Sequence, residues 1–421
     1  MKRNLITLMA LLLAVGAGLA LTFLPATPLP RTLEVVPPVT SKLVCAAMGE
    51  GGSLFVNGAD AIATLGRDDT AASGPTMLED QETASVIRGG HTLMGGMLVE
   101  ESDTRAWVPC GEPRSQGTIV LPGAAGTDLI ILNPDASEAV VDLNLYGSGG
   151  EIVALGARGI AVAPRSSRTI ALSVLVEQDG PVAVEYRASR GRATVVARTD
   201  TLQTRDAAQS AAPGTEHFLA GIPQDATVAT LLIANPGNER AAVEVLAQGM
   251  SLAYQPEGGT GVSVPAHSVI AVDLAASLAG EATGLRVTAD VDVAVGVSTG
   301  DDTDLAFASP VGTAEALGAF GPAGGVLQLS NPGESDAAVT IAVDVIGGEQ
   351  ATTTATIPAG TTLSTPLEPT APRGQAVSVT SSVALFGAIT DTVTGVSVIG
   401  LTSTLAPVVE PVDAEIAPTL R

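Results

Sequence analysis

The feature that most constrains the fold of this chain is a motif that recurs three times at similar intervals. In each copy an apolar segment runs into Asn-Pro, and the copies lie 102 and 96 residues apart. The three pairs are Asn133 and Pro134, Asn235 and Pro236, and Asn331 and Pro332. A residue before proline is held in extended geometry, and proline followed by glycine or aspartate begins a tight turn. The motif therefore predicts three equivalent strands, each ending in a reversal of the chain.

The residues that follow each motif also match. A valine comes eight residues after each asparagine, at Val141, Val243 and Val339, and begins an alternation of apolar residues. Each repeat then reaches an apolar residue followed by proline and a second alternating segment, which in the first repeat is Ile170, Leu172 and Val174. Alternation with a period of two is typical of strands with one buried face. Several short strands in a unit of about one hundred residues favour a β-sandwich of the immunoglobulin or fibronectin type.

Composition favours the same fold class. The chain is 46% hydrophobic but only 2% aromatic, so its cores must consist largely of small and β-branched side chains. Such side chains suit sheets, where their stiff rotamers cost least. The 47 glycines and 27 prolines are typical of a chain that turns often. We therefore predict an all-β fold, with a short helical segment over 273–279 as one exception.

The N-terminal segment predicts export. Lys2 and Arg3 precede residues 5–24, which carry no charge. A helix of that length spans about 30 Å, enough to cross a bilayer, and the two positive charges would stay in the cytoplasm. The alternative is a signal peptide that is cleaved after the small residues 18–20. We expect a single-pass protein of the cell membrane with an extracytoplasmic bulk, or alternatively a secreted protein.

The chain divides into seven segments. A membrane anchor or signal segment over 1–27 precedes a proline-rich stalk over 28–42, which is expected to be extended. The remaining segments are an N-terminal β-rich subdomain over 43–116, β-sandwich repeats over 117–212, 213–312 and 313–407, and an acidic tail over 408–421.

Cysteine usage agrees with export. The two cysteines are Cys45 and Cys110, and an even count in an oxidising compartment predicts one structural disulfide. A redox or metal role would need a Cys-x-x-Cys spacing or a neighbouring histidine, and the sequence has neither.

Two clusters of charged residues are candidate binding sites. Five arginines of the first repeat would form a surface for carboxylates or phosphates, because the guanidinium fork matches both groups. They are Arg165, Arg168, Arg187, Arg190 and Arg192. Their alternative role is pairing with nearby aspartate and glutamate. The acidic turn of Asp301, Asp302 and Asp304 is a weak candidate for calcium, and the alternative is a solvated turn.

The sequence does not contain a convincing catalytic constellation. Residues 296–300 match Gly-x-Ser-x-Gly around Ser298, but a nucleophile elbow needs a following helix and a later histidine, and His267 is the last one. His91 and His217 also lack the spacing of metal ligands. We expect no cofactor. The enzymatic alternative places a site in the N-terminal subdomain, formed by Asp60, Asp68, His91 and Glu100.

The order of motifs resembles a known family of exported proteins. Cys110 is followed by Pro113, a Gly-Thr step, the Leu132-Asn133-Pro134 turn and a Gly-Gly turn at 149–150. This order is similar to the actinobacterial family catalogued as domain of unknown function five-seven-one-nine. An aromatic residue expected between Cys110 and the first repeat is missing. The resemblance implies an N-terminal anchor and an envelope location, and it supplies no activity.

These observations predict a function in binding. The net charge of -24 repels phosphate backbones, which excludes nucleic acid as a partner. We expect a non-enzymatic structural or interaction protein of the cell envelope, held in the membrane by its N-terminal helix. Its partner would be an anionic envelope polymer or a membrane protein complex. The alternative is an envelope enzyme, or an accessory subunit of a machine that assembles or exports envelope glycans.

Overall fold

The computed structural model describes residues 41–49, 51–101, 104–201, 204–368, 374–393 and 395–405. The predicted membrane segment, nearly all of the stalk and the acidic tail lie outside these residues. Within the described ranges, no helix has the length and apolar character needed to cross a membrane. The described chain is all-β, as predicted, and forms several antiparallel sheets.

The N-terminal unit is one six-stranded sheet. Its strands are β1 (Ser41–Cys45), β2 (Ser53–Thr64), β3 (Thr70–Ala71), β4 (Thr76–Leu78), β5 (Ser85–Glu101) and β6 (Thr104–Pro109). The long strand β5 pairs with β1 and β2 and ends in a hairpin with β6. Cys45 and Cys110 form the predicted disulfide, which joins β1 to the end of β6.

Trp107 is the one tryptophan of the chain, and it fixes how β6 packs on β5. A Cβ atom at Gly96 would lie 2.1 Å from the Trp107 ring, so only glycine leaves room for the indole there. The ring packs against Phe55, with ring centroids 5.9 Å apart, and Phe55 in turn packs against Phe320 of the last repeat. The N-terminal unit therefore contacts the last repeat directly.

The second unit has two sheets that share an apolar core. One sheet contains β7 (Gln116–Leu121), β9 (Ala139–Gly147), β10 (Gly150–Ile152), β11 (Ile160–Val162) and β13 (Val182–Arg190). The other contains β8 (Thr127–Asn133), β12 (Ser166–Ala171), β14 (Thr194–Asp200) and β15 (Arg205–Gln209).

One predicted strand of this unit is wrong in its second half. The alternation of Ile170, Leu172 and Val174 predicts a continuous strand, but β12 ends at Ala171 and Leu172–Val174 form a 3-10 turn. The carbonyl of Leu172 accepts the N–H groups of Leu175 and Val176, each at 2.9 Å. The turn keeps Leu172 in the core and leaves Val174 exposed. Apolar residues at alternate positions therefore occur here in a 3-10 turn and not in a strand.

The third unit repeats this plan. Its elements are β16 (Gly214–Ile222), β17 (Val228–Asn235), β18 (Ala241–Gln248), β19 (Ala253–Tyr254), β20 (Val262–Val264), β21 (Ser268–Asp273), α1 (Ala275–Leu278), β22 (Thr283–Gly300) and β23 (Leu305–Ala308). The helix α1 lies within the predicted segment 273–279. Strand β22 is long enough to pair with β16 and β18 first and with β17 and β23 afterwards.

The fourth unit has the same arrangement. Its strands are β24 (Ala314–Gly321), β25 (Val326–Ser330), β26 (Ala337–Val345), β27 (Ala351–Ile357), β28 (Thr362–Pro366), β29 (Gln375–Asp391), β30 (Ser397–Gly400) and β31 (Thr402–Ser403). Strand β29 corresponds to β22, because it pairs first with β24 and β26 and later with β25 and β30.

The repeated asparagines make the same hydrogen bonds in each of the last three units. Each is fully buried, and its Oδ1 accepts the N–H of the residue two positions on. The Nδ2 group donates to the carbonyl four positions on and to a carbonyl just before the second proline step. One side chain therefore holds the strand end, the turn and a distant strand together. The asparagines are Asn133, Asn235 and Asn331.

Candidate functional site

The four units close into a ring through one strand of each unit. Strands β6, β15, β23 and β30 each complete the final hairpin of one unit. Strand β6 contacts β15, β15 contacts β23, β23 contacts β30, and β30 contacts β6 again. These four central strands bring the first unit against the last, so the described chain is a closed circle of four units around a common centre.

Hydrogen bonds join neighbouring central strands where these strands end. The Nε2 group of Gln209 donates to the carbonyl of Pro109 at 2.9 Å, and the hydroxyl of Ser309 donates to the carbonyl of Gln209 at 3.3 Å. After each central strand the chain pairs back with its own unit, as Ala211 does with Thr118 and Val311 with Phe218. Successive units are thus fastened at equivalent positions.

A cavity of about 530 Å³ opens at this end of the ring. Residues from all four units line it, including Leu43, Met94, Phe307 and Val311, which are half-buried. Exposed residues surround its open end: His91, Glu112, Arg114, Thr402 and Ser403.

The opposite ends of the central strands meet in a buried polar junction, which consists of Arg105, Arg205, Asp206, Asp304 and Asp391. Asp304 lies at its centre. Its Oδ2 accepts the backbone N–H of Arg105 at 3.1 Å and that of Val396 at 2.7 Å, while its Oδ1 accepts the N–H of Leu305 at 3.0 Å. One carboxylate therefore connects three of the four units.

Ion pairs at the polar junction also join neighbouring units. The guanidinium of Arg105 contacts the carboxylate of Asp391, which joins the first unit to the last, and its Nε lies 3.1 Å from Glu100. Arg205 contacts Glu101 and so joins the second unit to the first. Because Arg105 and Asp391 are nearly buried, they need each other as partners.

Asp206 joins the second unit to the third. Its Oδ2 accepts the N–H of Phe307, whereas its Oδ1 is buried without a hydrogen-bond partner among the described residues. Burial raises the pKa of Asp206 well above its ordinary value, and the nearby Asp304 raises it further. Burial also raises the pKa of Asp304, although backbone hydrogen bonds partly oppose this. The junction thus contains a carboxyl group that holds its proton to a higher pH than an ordinary aspartate does.

The five predicted arginines are all exposed, and two of them line different pockets. Arg165 lines a small pocket between the first two units, beside Asp68 and Asp69, whereas Arg187 lines a groove beside Glu239 and Asp292 of the third unit. Arg168 donates to a backbone carbonyl, Arg190 pairs with Glu138, and Arg192 pairs with Asp135.

Arg187 has a local structural role. It contacts Glu185 at 2.7 Å on the same strand, and Glu185 also accepts hydrogen bonds from Asn144 and Tyr146. Burial raises the pKa of Glu185, but these hydrogen bonds outweigh it and hold the pKa below its ordinary value. The pairing with nearby acidic residues, which the sequence leaves open as an alternative, is what the structure contains at Arg187, Arg190 and Arg192.

The three acidic residues considered for calcium do not face one centre. Asp304 points into the polar junction, as described above. Asp301 is exposed, and its Oδ1 accepts the N–H and hydroxyl groups of Thr303 and the N–H of Asp304, while Asp302 is exposed beside it. Among the residues described, no cluster of three or more metal-ligating side chains is found.

The remaining candidate side chains have structural environments. Ser298 is buried inside β22, which continues to Gly300 without a following helix. His217 is buried with its Nε2 between two backbone carbonyls, and the ring of His267 packs on Tyr146 across the boundary between units.

The four residues of the enzymatic alternative lie apart. His91 is at the cavity mouth, whereas Glu100 pairs with Arg105 at the polar junction. Asp68 lines the small pocket near Arg165, and Asp60 is exposed on β2.

Sequence reasoning missed the polar junction and the cavity. Arg105 and Asp206 do carry one local signal, since each stands near the start of an apolar strand, where a charge needs a partner. Their partners are about 100 to 290 residues away, and no spacing rule connects them.

The fold and site define an all-β protein of four units that encloses a central cavity. The chain belongs to the family described as Family of unknown function (DUF5719), whose profile matches residues 98–368. The family resemblance noted in the sequence is therefore confirmed.

Comparisons with curated proteins and with solved structures do not indicate a function. No functionally curated protein matches the chain. A solved structure entitled "Crystal structure of tetra-tandem repeat in extending region of large adhesion protein" is 11% identical, covers 87% of this chain and 100% of its own, and has a TM-score of 0.10. A likeness at that level carries no argument about fold or function.

Proposed function

We propose that this protein is a non-enzymatic, extracytoplasmic interaction protein of the cell envelope, tethered by its N-terminal hydrophobic segment. Its last three units are tandem β-sandwiches of the immunoglobulin or fibronectin type, and the N-terminal unit closes them into a ring. The partner is an anionic envelope polymer or a membrane protein complex. An accessory role in a machine that handles envelope glycans is a form of the same function.

The observation that carries the proposal is the closed ring itself. Four units are fastened by buried contacts at both ends of their central strands, as in the pairs of Arg105 with Asp391 and Gln209 with Pro109. Such closure fixes the loops and edges of all four units relative to one another. A fixed array of this kind suits binding, because little conformational freedom remains to be lost on association.

The candidate catalytic groups support a binding role as well. Ser298 and His217 are buried in strands, and His217 contacts two backbone carbonyls. Asp60, Asp68, His91 and Glu100 lie at separate places. Catalysis by general acid and base needs such groups within hydrogen-bond reach of one substrate. Their separation favours an interaction protein over an enzyme.

The disulfide is consistent with an extracytoplasmic location. Cys45 and Cys110 are joined, and the chain has no other cysteine. Disulfides persist in oxidising compartments and are rare in the cytosol.

Photo-crosslinking in intact native cells tests the proposal. A photoreactive residue at Arg190, on the exposed surface of the second unit, should capture a specific envelope polymer or membrane protein. The same residue at Ser298, which is buried, is the matched control and should capture nothing. Fractionation should place the chain in the membrane, with the folded part sensitive to protease added from outside. Protease resistance in intact cells that is lost on lysis would contradict the proposed location.

A further inference from the structure

The walls of the central cavity combine apolar and uncharged polar groups. Leu43, Met94, Phe307 and Val311 present half-buried apolar side chains to the interior, and polar residues such as Gln209 and Ser309 lie among them. Of the described residues that line the cavity, those with charged carboxylate or guanidinium groups are Glu112 and Arg114, and both lie at the exposed mouth.

The polar junction lies at the other ends of the central strands, where Asp304 accepts hydrogen bonds from Arg105 and Val396, and its five residues do not line the cavity. A molecule that enters from the mouth would therefore pass from charged surroundings into an interior lined by uncharged side chains. The volume of about 530 Å³ falls in the range of about 300–1,000 Å³ typical of small-molecule sites.

Arg114 gives the mouth a cation that is open to a ligand. Its side chain is 48% exposed, and its contact with Glu112, at 3.4 Å, is itself solvent-exposed. Exposed pairs of this kind contribute little free energy, so an incoming anion competes with Glu112 at small cost. The guanidinium also suits bidentate contact with a carboxylate or phosphate.

We infer that the central cavity takes up one aliphatic chain of an amphiphile that has an anionic head. The chain lies against Leu43, Met94, Phe307 and Val311, and the head contacts Arg114 at the mouth. A free long-chain carboxylate and an anionic phospholipid share this chemistry. Binding at this site goes beyond the proposed envelope role and does not depend on it.

Trp107 provides a direct readout, since it is the single tryptophan and lines the cavity. Bromine atoms quench tryptophan fluorescence at short range. The full-length chain in phosphatidylcholine nanodiscs is titrated with dibromostearate, and saturable quenching of Trp107 is expected. A second arm uses nanodiscs that contain brominated phosphatidylglycerol and no free acid. Quenching in the first arm identifies a free carboxylate, quenching in the second a phospholipid, and quenching in neither overturns the inference.

Two variants locate the ligand. Ser309→Phe fills the cavity and should lower the affinity for dibromostearate by about tenfold or more, whereas Thr313→Phe adds the same ring on the exposed surface outside it and should not. Circular dichroism establishes that both variants are folded. Equal quenching in both variants would place the ligand elsewhere and overturn the inference.

Recognition of the anionic head group is tested by removing the charge of Arg114. Arg114→Gln should weaken dibromostearate binding by about tenfold, since a charge-assisted hydrogen bond is lost. Binding of dibromostearyl alcohol should be unchanged. Arg158→Gln, which removes an exposed arginine that does not line the cavity, is the matched control. An equal loss for acid and alcohol would show that Arg114 does not recognise the head, which contradicts this part of the inference.

Discussion

The guanidinium of Arg105 contacts the carboxylate of Asp391, although the two residues are 286 positions apart in the sequence. Arg105 begins the central strand of the first unit, and Asp391 ends the strand before the central strand of the last. Both side chains are nearly buried, with 7% and 13% of their surface exposed. This contact is where the ring of four units closes.

Removing the contact between Arg105 and Asp391 should lower the stability of the folded chain. In Arg105→Met the carboxylate of Asp391 stays buried without its cation, and we expect the free energy of unfolding to fall by about 3–5 kcal/mol. Chemical denaturation followed by Trp107 fluorescence measures the change. The matched control is Arg190→Met, which removes an exposed pair with Glu138 and should change stability by less than about 1 kcal/mol. Equal effects of the two variants would mean that the Arg105 pair is not buried.

Asp206 should make stability fall as the pH rises. Burial raises its pKa in the folded chain, so its contribution is complete below the unfolded value of about 3.9 and is lost as the pH rises through the folded pKa. Asp206→Asn keeps the acceptor for the N–H of Phe307 without a charge. The variant should therefore gain stability relative to the wild type as the pH rises from about 4 to 7.

Asp301 is the control for this pH dependence. Hydrogen bonds from Thr303 lower the pKa of Asp301, so its contribution is present above the ordinary value and is lost as the pH falls. Asp301→Asn should therefore show a difference from the wild type of the opposite sign. Denaturation at a series of pH values measures both. A difference between Asp206→Asn and the wild type that is the same at every pH would contradict the raised pKa.

The repeated asparagines should be more sensitive than their exposed neighbours. Asn235→Asp keeps Oδ1 but replaces the Nδ2 donor with an oxygen that faces the carbonyls of Glu239 and Val264. We expect a loss of about 2–4 kcal/mol, because two buried hydrogen bonds become repulsive contacts.

Asn238→Asp is the matched control for this change, since Asn238 is exposed in the same turn and its side chain forms a hydrogen bond with the ring of His267. Thermal unfolding of both variants measures the difference. If Asn238→Asp cost as much as Asn235→Asp, charge in the turn would explain the effect and the hydrogen bonds would not.

The disulfide should stabilise the chain by restricting its unfolded state. The bond between Cys45 and Cys110 closes a loop with a sequence separation of 65, and a loop of that length contributes about 4 kcal/mol in the chain-entropy model. Unfolding with and without reductant measures this contribution. The variant Cys45→Ala with Cys110→Ala should not respond to reductant, because the sequence has no other cysteine. A response there would show that reductant acts by another route.

The local parts of the fold are readable from sequence, because each depends on residues close together in the chain. Proline after Asn133, Asn235 and Asn331 restricts the backbone locally, and the three strands stop at or one residue before these asparagines. The disulfide follows from the number of cysteines and the expectation of export. The β12 segment differs because Leu172 reaches the core from a 3-10 turn as well as it would from a strand.

The ring and its cavity could not be predicted from the sequence, because they depend on residues that are far apart in the chain. Arg105, Asp206 and Asp391 are single charged residues in different units, and their partners are set by how whole sheets pack. Sequence reasoning groups the arginines of the first repeat because they are near in the chain. In the folded protein Arg165 and Arg187 line different pockets, so nearness in sequence does not bring all of these arginines into one pocket.

A double-mutant cycle between Arg105 and Asp391 tests the closure of the ring most directly. The free energies of unfolding are measured for the wild type, Arg105→Met, Asp391→Leu and the double variant. If the first and last units meet as described, the two changes should be coupled by about 1–3 kcal/mol, with the double variant more stable than the sum of the single effects predicts. Additivity within about 0.5 kcal/mol would mean that the two side chains do not touch and that the ring is open.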